Sequence, residues 1–244
     1  MEPGVVVLIH GAGENHTRWR YQSRWLKNRG FRVASLDLPG HGDDDGEPLS
    51  TVEEMASWVS GKFEGPAAVV GHSMGGLIAL EMARTCPDLV NRLLLTGTST
   101  AIQVNPELQQ AADDHLTKAV SMIVGWSYDQ LGRLGGHPDP GIAPAIVTGR
   151  LLESELGNLG KDLRATGSYA RGEEAAASIR VPTLVIAGGV DRMVPLPSVK
   201  RLAAAIDGAQ LEILEKAGHM MVTDSPNEVR ELLASFLLVT FRSA

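Results

Sequence analysis

The sequence predicts an α/β fold built on a doubly wound, mostly parallel sheet, because six short apolar runs recur along it, helical segments separate them, and glycine or polar residues close each run. The runs fall at residues 5–10, 31–37, 67–71, 92–96, 183–187 and 211–214. They are nearly continuous in apolar character rather than alternating, which is what strands need when crossover helices cover both faces of the sheet. The 244 residues suit one full-sized domain.

The elements follow in order. After the first run, the aromatic and basic segment 17–28 reads as a helix. Ser50 and Glu53 have the spacing of a capping box, which places a second helix over 51–62. The third run leads directly into an apolar helix over 74–85 that stops before Pro87. Alternation then fails over 99–178, where Gly132, Gly135, Gly136, Pro138, Pro140, Gly141 and Pro144 cluster among helical fragments. It resumes at Val181-Pro182-Thr183. The expected organisation is therefore a single domain whose core is 1–98 and 179–244, with a helical lid inserted at 99–178, since long excursions in compact domains usually serve a site. Near the end, Ser225-Pro226-Asn227-Glu228 signals the start of an amphipathic helix that runs into the apolar stretch 232–241.

Composition narrows the function classes. Hydrophobic residues at 43% and charged residues at 21% exclude a disordered or coiled-coil chain. With 22 Lys and Arg against 29 Asp and Glu, the net charge of -7 opposes binding to nucleic acid or anionic membrane. Cys86 is the sole cysteine, so neither an intramolecular disulfide nor a thiolate zinc site can form. No basic leader precedes the first run and no run is long enough to cross a bilayer, so the sequence reads as cytosolic, without a targeting segment.

The most informative stretch is Gly71-His72-Ser73-Met74-Gly75, preceded by the apolar Val69-Val70 and followed by Leu77, Ile78, Leu80 and Met82. A Gly-x-Ser-x-Gly set between strand and helix holds its serine on a strained turn, and the glycines remove side chains that would collide there. The hydroxyl also lies at a helix N-terminus, which favours developing negative charge. A serine hydroxyl needs a base, and the base needs an orienting acid. Of seven histidines, His219 follows the last strand-like run, in Ala217-Gly218-His219-Met220-Met221. Asp191 follows the run before it, in Gly188-Gly189-Val190-Asp191. Both would be delivered to the carboxyl edge of the sheet, where open α/β sheets bind their ligands.

With Ser73, Asp191 and His219 in that order, the chain resembles the α/β-hydrolase superfamily everywhere outside the insertion. Ile9-His10-Gly11-Ala12-Gly13 is similar to the family's oxyanion loop, and Asp37-Leu38-Pro39-Gly40-His41-Gly42 to the turn after its fourth strand. The resemblance implies a catalytic triad of Ser73, Asp191 and His219, and an oxyanion hole from the backbone N–H groups of Ala12 and Met74. It also implies a sheet lacking the family's usual N-terminal strand pair, because the sequence begins at the strand that carries the oxyanion loop. Ser73 in place of an aspartate argues against relatives that attack with a carboxylate. The implied activity is hydrolysis of carboxylic esters, with thioesters as a further class, through an acyl-enzyme and without cofactor or metal. Carbon-carbon hydrolases, lyases and aminopeptidases built on the same triad, and a non-catalytic binding protein on the same scaffold, are the alternatives.

Met74, Met193, Met220 and Met221 flank the triad, and together with Trp126 and Tyr128 of the insertion they are candidates to line a pocket for an apolar substrate portion. Trp126 and Tyr128 could equally pack the insertion down. His10, Asp37 and His41 are expected to brace loops, and His72 to point away from the pocket. Asp43-Asp44-Asp45 reads as solvated charge rather than a metal site. Cys86 reads as a buried, inert thiol, and Arg18, Arg20 and Arg24 as a solvated helix face with an anionic substrate handle as the minor reading.

Overall fold

The computed structural model describes residues 4–128, 144–154 and 157–238. Six strands form one all-parallel sheet: β1 (Val5–Ile9), β2 (Arg32–Leu36), β3 (Ala67–His72), β4 (Val90–Thr96), β5 (Thr183–Gly188) and β6 (Gln210–Leu214), in the order β2-β1-β3-β4-β5-β6. The chain winds outward from β1 in one direction and from β3 in the other. This switch point between β1 and β3 opens a crevice at their carboxyl ends. Register pairs Ile9 with Gly71 and Gly71 with Leu95, so the loops after β1, β3 and β4 leave the sheet at one level.

Both faces of the sheet are covered. On one, Val7, Ile9, Val69, Leu93, Leu95 and Val185 pack with α2 (Val52–Ser60), α3 (Met74–Thr85) and α9 (Leu196–Ala205). On the other, Val6, Leu8, Val70, Leu94 and Ile186 pack with Trp19, with Leu26 of α1 (Arg20–Lys27), with Met221 and Val222 of α10 (Met221–Asp224), and with Val229, Leu233 and Phe236 of α11 (Pro226–Leu238). Consecutive residues of β1 thus serve opposite cores, which is why its sequence does not alternate. Burying each such side chain contributes about 1.5–3 kcal/mol.

Between β4 and β5 lie α4 (Pro106–Asp114), α5 (Leu116–Ser127), α6 (Pro144–Ser154), α7 (Asn158–Ser168) and α8 (Gly172–Ser178). Leu108, Val120, Ile123, Leu152, Leu159 and Leu163 form a third cluster, joined by Met220 from the loop after β6. Ala165, Tyr169, Ala175 and Ala176 join the main core beside α3 instead. The Gly132, Gly135, Gly136, Pro138, Pro140 and Gly141 cluster lies outside the described residues, as do residues 239–244 of the expected terminal helix.

Several local expectations need correction. The capping box is Thr51 with Glu54, one residue later than read, because Thr51 adopts the extended cap conformation and its hydroxyl accepts from the Glu54 N–H at 3.1 Å. Residues His16–Trp19 form a 3-10 turn capped by Asn15 before α1 begins at Arg20. Cys86 is half-buried rather than buried. Arg18 is not on a solvated face: it is 1% exposed, with its guanidinium turned inward. The loop residues do brace. His10 accepts from the Leu38 N–H at 3.2 Å through Nε2, and burial followed by the neighbouring His41 holds its pKa down at about 4. Asp37 accepts from the N–H groups of His16 and Asp43, and His41 bonds Asp162 at 2.9 Å. Among the described residues, no helix is long and apolar enough to cross a membrane.

Candidate active site

Ser73 ends β3 and caps α3 with φ 54° and ψ -118°, the one non-glycine residue with positive φ among those described. The strain persists because the turn is pinned on both sides. The Ser73 N–H donates to the Thr96 carbonyl at 2.9 Å, and its carbonyl accepts from the Gly76 N–H at 2.9 Å. A Cβ at Gly71 would collide with the Gly75 carbonyl, and one at Gly75 with the carbonyls of Ile9 and His10. Only glycine lets the elbow approach β1 this closely.

The loops after β5 and β6 bring Asp191 and His219 to the same serine. His219 Nε2 is 3.1 Å from Ser73 Oγ, and its Nδ1 is 2.9 Å from Asp191 Oδ2. Asp191 Oδ1 accepts from the N–H groups of Met193 and Val194, both at 2.8 Å, so the carboxylate cannot swing. Burial alone would lower the His219 imidazole, but the Asp191 carboxylate outweighs it and holds the pKa above the usual value. Met74 opens α3 directly after the serine, and Ala12 follows Gly11, where an added Cβ would stand 3.3 Å from the Ser73 Cβ.

A second buried cluster, absent from the sequence reading, lies on the other side of Ser73. Glu14 is 1% exposed; its Oε2 accepts from the Gly11 N–H at 3.1 Å and its Oε1 pairs with Arg18 Nη2. Arg18 also donates to Thr148 and Thr223 at 3.1 and 3.2 Å. Burial would raise the Glu14 carboxyl, but Arg18, then His72, keep it far below the usual range. His72 Nδ1 is 3.6 Å from Glu14 Oε2, an electrostatic contact, while its Nε2 donates to the His219 carbonyl at 3.0 Å. Contrary to expectation, His72 therefore faces the site. The signal was present in the sequence only as a Glu-x-x-x-Arg spacing that equally suits a surface helix.

Ser73 opens onto a cavity of about 250 Å³. Its wall includes Ala12, Ile102, Leu108, Ile123, Trp126, Leu159, Leu163, Thr166, Met193 and Met220, with Arg192 exposed at the rim. Trp126 and Met220 thus line the cavity. Met74, Met221 and Tyr128 do not. Met74 packs with Leu77 beneath the elbow, because the first helical side chain turns into the core while its N–H points outward. Met221 packs with Val222 and Leu233 on the opposite face of the sheet. Tyr128 places its hydroxyl 2.6 Å from Thr148. Asp162 of α7 accepts from the Gly13 N–H at 2.7 Å, tying the insertion to the loop after β1.

A strained serine at a helix start, an imidazole within reach of it and a clamped carboxylate, all on the carboxyl edge of a parallel sheet, define a hydrolase of the α/β type. The model of the alpha/beta hydrolase family matches residues 6–232, and the chain belongs to that family. It is 30% identical over 247 residues to the pimeloyl-[acyl-carrier protein] methyl ester esterase of Aromatoleum aromaticum, covering 93% of this chain and 96% of that protein. It is 30% identical over 252 residues to the pyrrolizixenacetamide deacetylase of Xenorhabdus hominickii, covering 97% of this chain and 91% of that one. Among solved structures, a thermophilic esterase superposes with a TM-score of 0.81 at 28% identity, covering 95% of this chain and 88% of that chain.

Proposed function

We propose that this enzyme hydrolyses carboxylic esters, thioesters included, through an acyl-enzyme on Ser73. The observation that carries the reading is the 3.1 Å approach of His219 Nε2 to Ser73 Oγ with Asp191 at 2.9 Å from the other ring nitrogen. Ser73 Oγ attacks the ester carbonyl carbon while His219 takes its proton, and Asp191 stabilises the imidazolium. The Ala12 and Met74 N–H groups receive the oxyanion, each donor contributing about 3–4 kcal/mol in comparable sites. The intermediate collapses, His219 returns the proton to the leaving alcohol or thiol, and a water activated by the same imidazole releases the acid. The scheme needs no metal or cofactor. Helices α4–α7, within the 99–178 insertion, act as a lid over the cavity, and Trp126 and Met220 contact the apolar part of the substrate. The single cysteine and net charge of -7 support the reading of a cytosolic enzyme acting on small molecules rather than on nucleic acid or membrane.

A fluorophosphonate probe should form one covalent adduct, mapped to Ser73 by peptide mass. Turnover of short nitrophenyl esters and thioesters should exceed that of acetanilides and vinylogous diketones. An unlabelled Ser73 with no ester turnover overturns the reading in favour of a binding protein. Dominant anilide cleavage would favour amide hydrolysis, the second reading, which the likeness to a deacetylase supports.

A further inference from the structure

The loop after β1 is held at two points, one on each side of Ala12. The Gly11 N–H donates to Glu14 Oε2 at 3.1 Å, and the Gly13 N–H donates to Asp162 Oδ2 at 2.7 Å. Glu14 belongs to the same loop. Asp162 belongs to α7 of the insertion, 149 residues from the glycine it binds, and is fully buried.

A buried carboxylate beside a developing oxyanion would oppose it unless its charge were matched. Glu14 is matched by Arg18. Asp162 is matched by His41, which is also buried. His41 Nδ1 lies 3.0 Å from the Pro39 carbonyl oxygen, which only accepts, so that nitrogen carries its hydrogen. His41 Nε2 lies 2.9 Å from the same Oδ2 that holds Gly13, and a proton must stand between them. Whichever of the two atoms carries it, the pair presents no net charge to the loop. The packing around this contact is close. Gly13 has φ 65°, and a Cβ there would stand 2.9 Å from Leu159 Cδ1 of α7. Asn158, one turn before Asp162, donates to the Gly40 carbonyl, so one face of α7 grips the loops after β1 and β2 while Leu159 and Leu163 beside it wall the cavity.

We propose that Asp162, held by His41, is a positioning residue for the oxyanion hole, so that the insertion completes the catalytic geometry as well as covering the cavity. The inference rests on the ester-hydrolase reading and deepens it. Asp162 does not line the cavity. It fixes the Ala12–Gly13 peptide, which adjoins the peptide whose N–H receives the oxyanion in that reading. An oxyanion donor is worth most when it is in place before the charge forms, and a displacement of about 1 Å can cost about 10²-fold in rate.

The test pairs p-nitrophenyl butyrate with its thiono analogue, in which sulfur replaces the carbonyl oxygen and takes little stabilisation from N–H donors. A general loosening of the insertion lowers turnover of both esters, whereas a displaced oxyanion hole lowers that of the oxygen ester selectively. In Asp162→Ala, kcat for the oxygen ester should fall about 10–100-fold with KM within about threefold of wild type, and the oxygen-to-thiono ratio of kcat/KM should fall about tenfold. The amide of Asp162→Asn can accept from the Gly13 N–H and donate to a neutral His41, so this variant should restore the ratio to within about threefold of wild type. Where Asp162→Ala does not fold, Asp162→Ser, one bond shorter than the native side chain, takes its place. A ratio unchanged in the Ala or Ser variant, or lost equally in Asp162→Asn, overturns the proposal and leaves the ester reading standing. A wild-type enzyme that turns over neither ester overturns both.

Discussion

Two buried carboxylates flank Ser73, each paired with a histidine, and the pairs behave differently. Asp191 faces His219 at 2.9 Å and is otherwise held by neutral backbone N–H groups. Its charge is therefore available to an imidazolium. Glu14 is neutralised by the Arg18 guanidinium before it meets His72, which burial holds below the usual imidazole range. The second nitrogen of His219 looks at a hydroxyl, whereas that of His72 looks at a carbonyl. A carboxylate–imidazole pair is thus defined by what the far nitrogen meets and by whether the carboxylate's charge is already spent. The Glu14 side fixes the Gly11 N–H and the His219 carbonyl, and so holds two loops in position around the reacting pair.

The comparison breaks most severely at the serine itself: Ser73→Ala should lower kcat by about 10⁵–10⁶ in a p-nitrophenyl ester assay while the circular dichroism spectrum is unchanged. Next, Asp191→Asn should cost about 10⁴ in kcat by releasing the imidazole from its working tautomer. Glu14→Gln sharpens the contrast. It should cost only about 10–100-fold, chiefly in kcat, if Glu14 positions loops rather than serving the base. Because Glu14 also helps to hold His219 above the usual imidazole range, its removal should move the acid limb of the kcat/KM profile to lower pH. An unmoved limb would contradict that coupling.

Stability separates the two sides further. Glu14→Gln leaves Arg18 buried without its counter-charge and should lower the unfolding free energy by about 3 kcal/mol in urea denaturation, whereas Glu14→Gln/Arg18→Met should recover most of it. The smallest effect has the opposite sign. Ser73→Gly relieves the positive φ and should stabilise by about 1 kcal/mol, raising Tm by about 2–4 °C, while abolishing turnover. A stability equal to wild type would mean the elbow carries no strain.

Much of this protein was legible without coordinates. Unbroken apolar runs require strands covered on both faces, the glycines of the elbow follow from sterics, and Ser73, Asp191 and His219 each follow a strand-like run in a fixed order. These are local signals, set by backbone period and by what a tight turn tolerates. The pocket wall was less legible: the methionines flanking the site divided between cavity and core according to which way a helix start or a loop turned, and that separates Met220 from Met221.

What only the tertiary structure decided is the company that polar side chains keep. Arg18 reads in sequence as one more cation on a basic helix. Its meaning comes from a partner 130 residues away, as in the Arg18–Thr148 bond. The period of a helix or strand determines which face a residue takes, but desolvation and pairing depend on which distant faces the fold presses together, and that is written in no single stretch of chain.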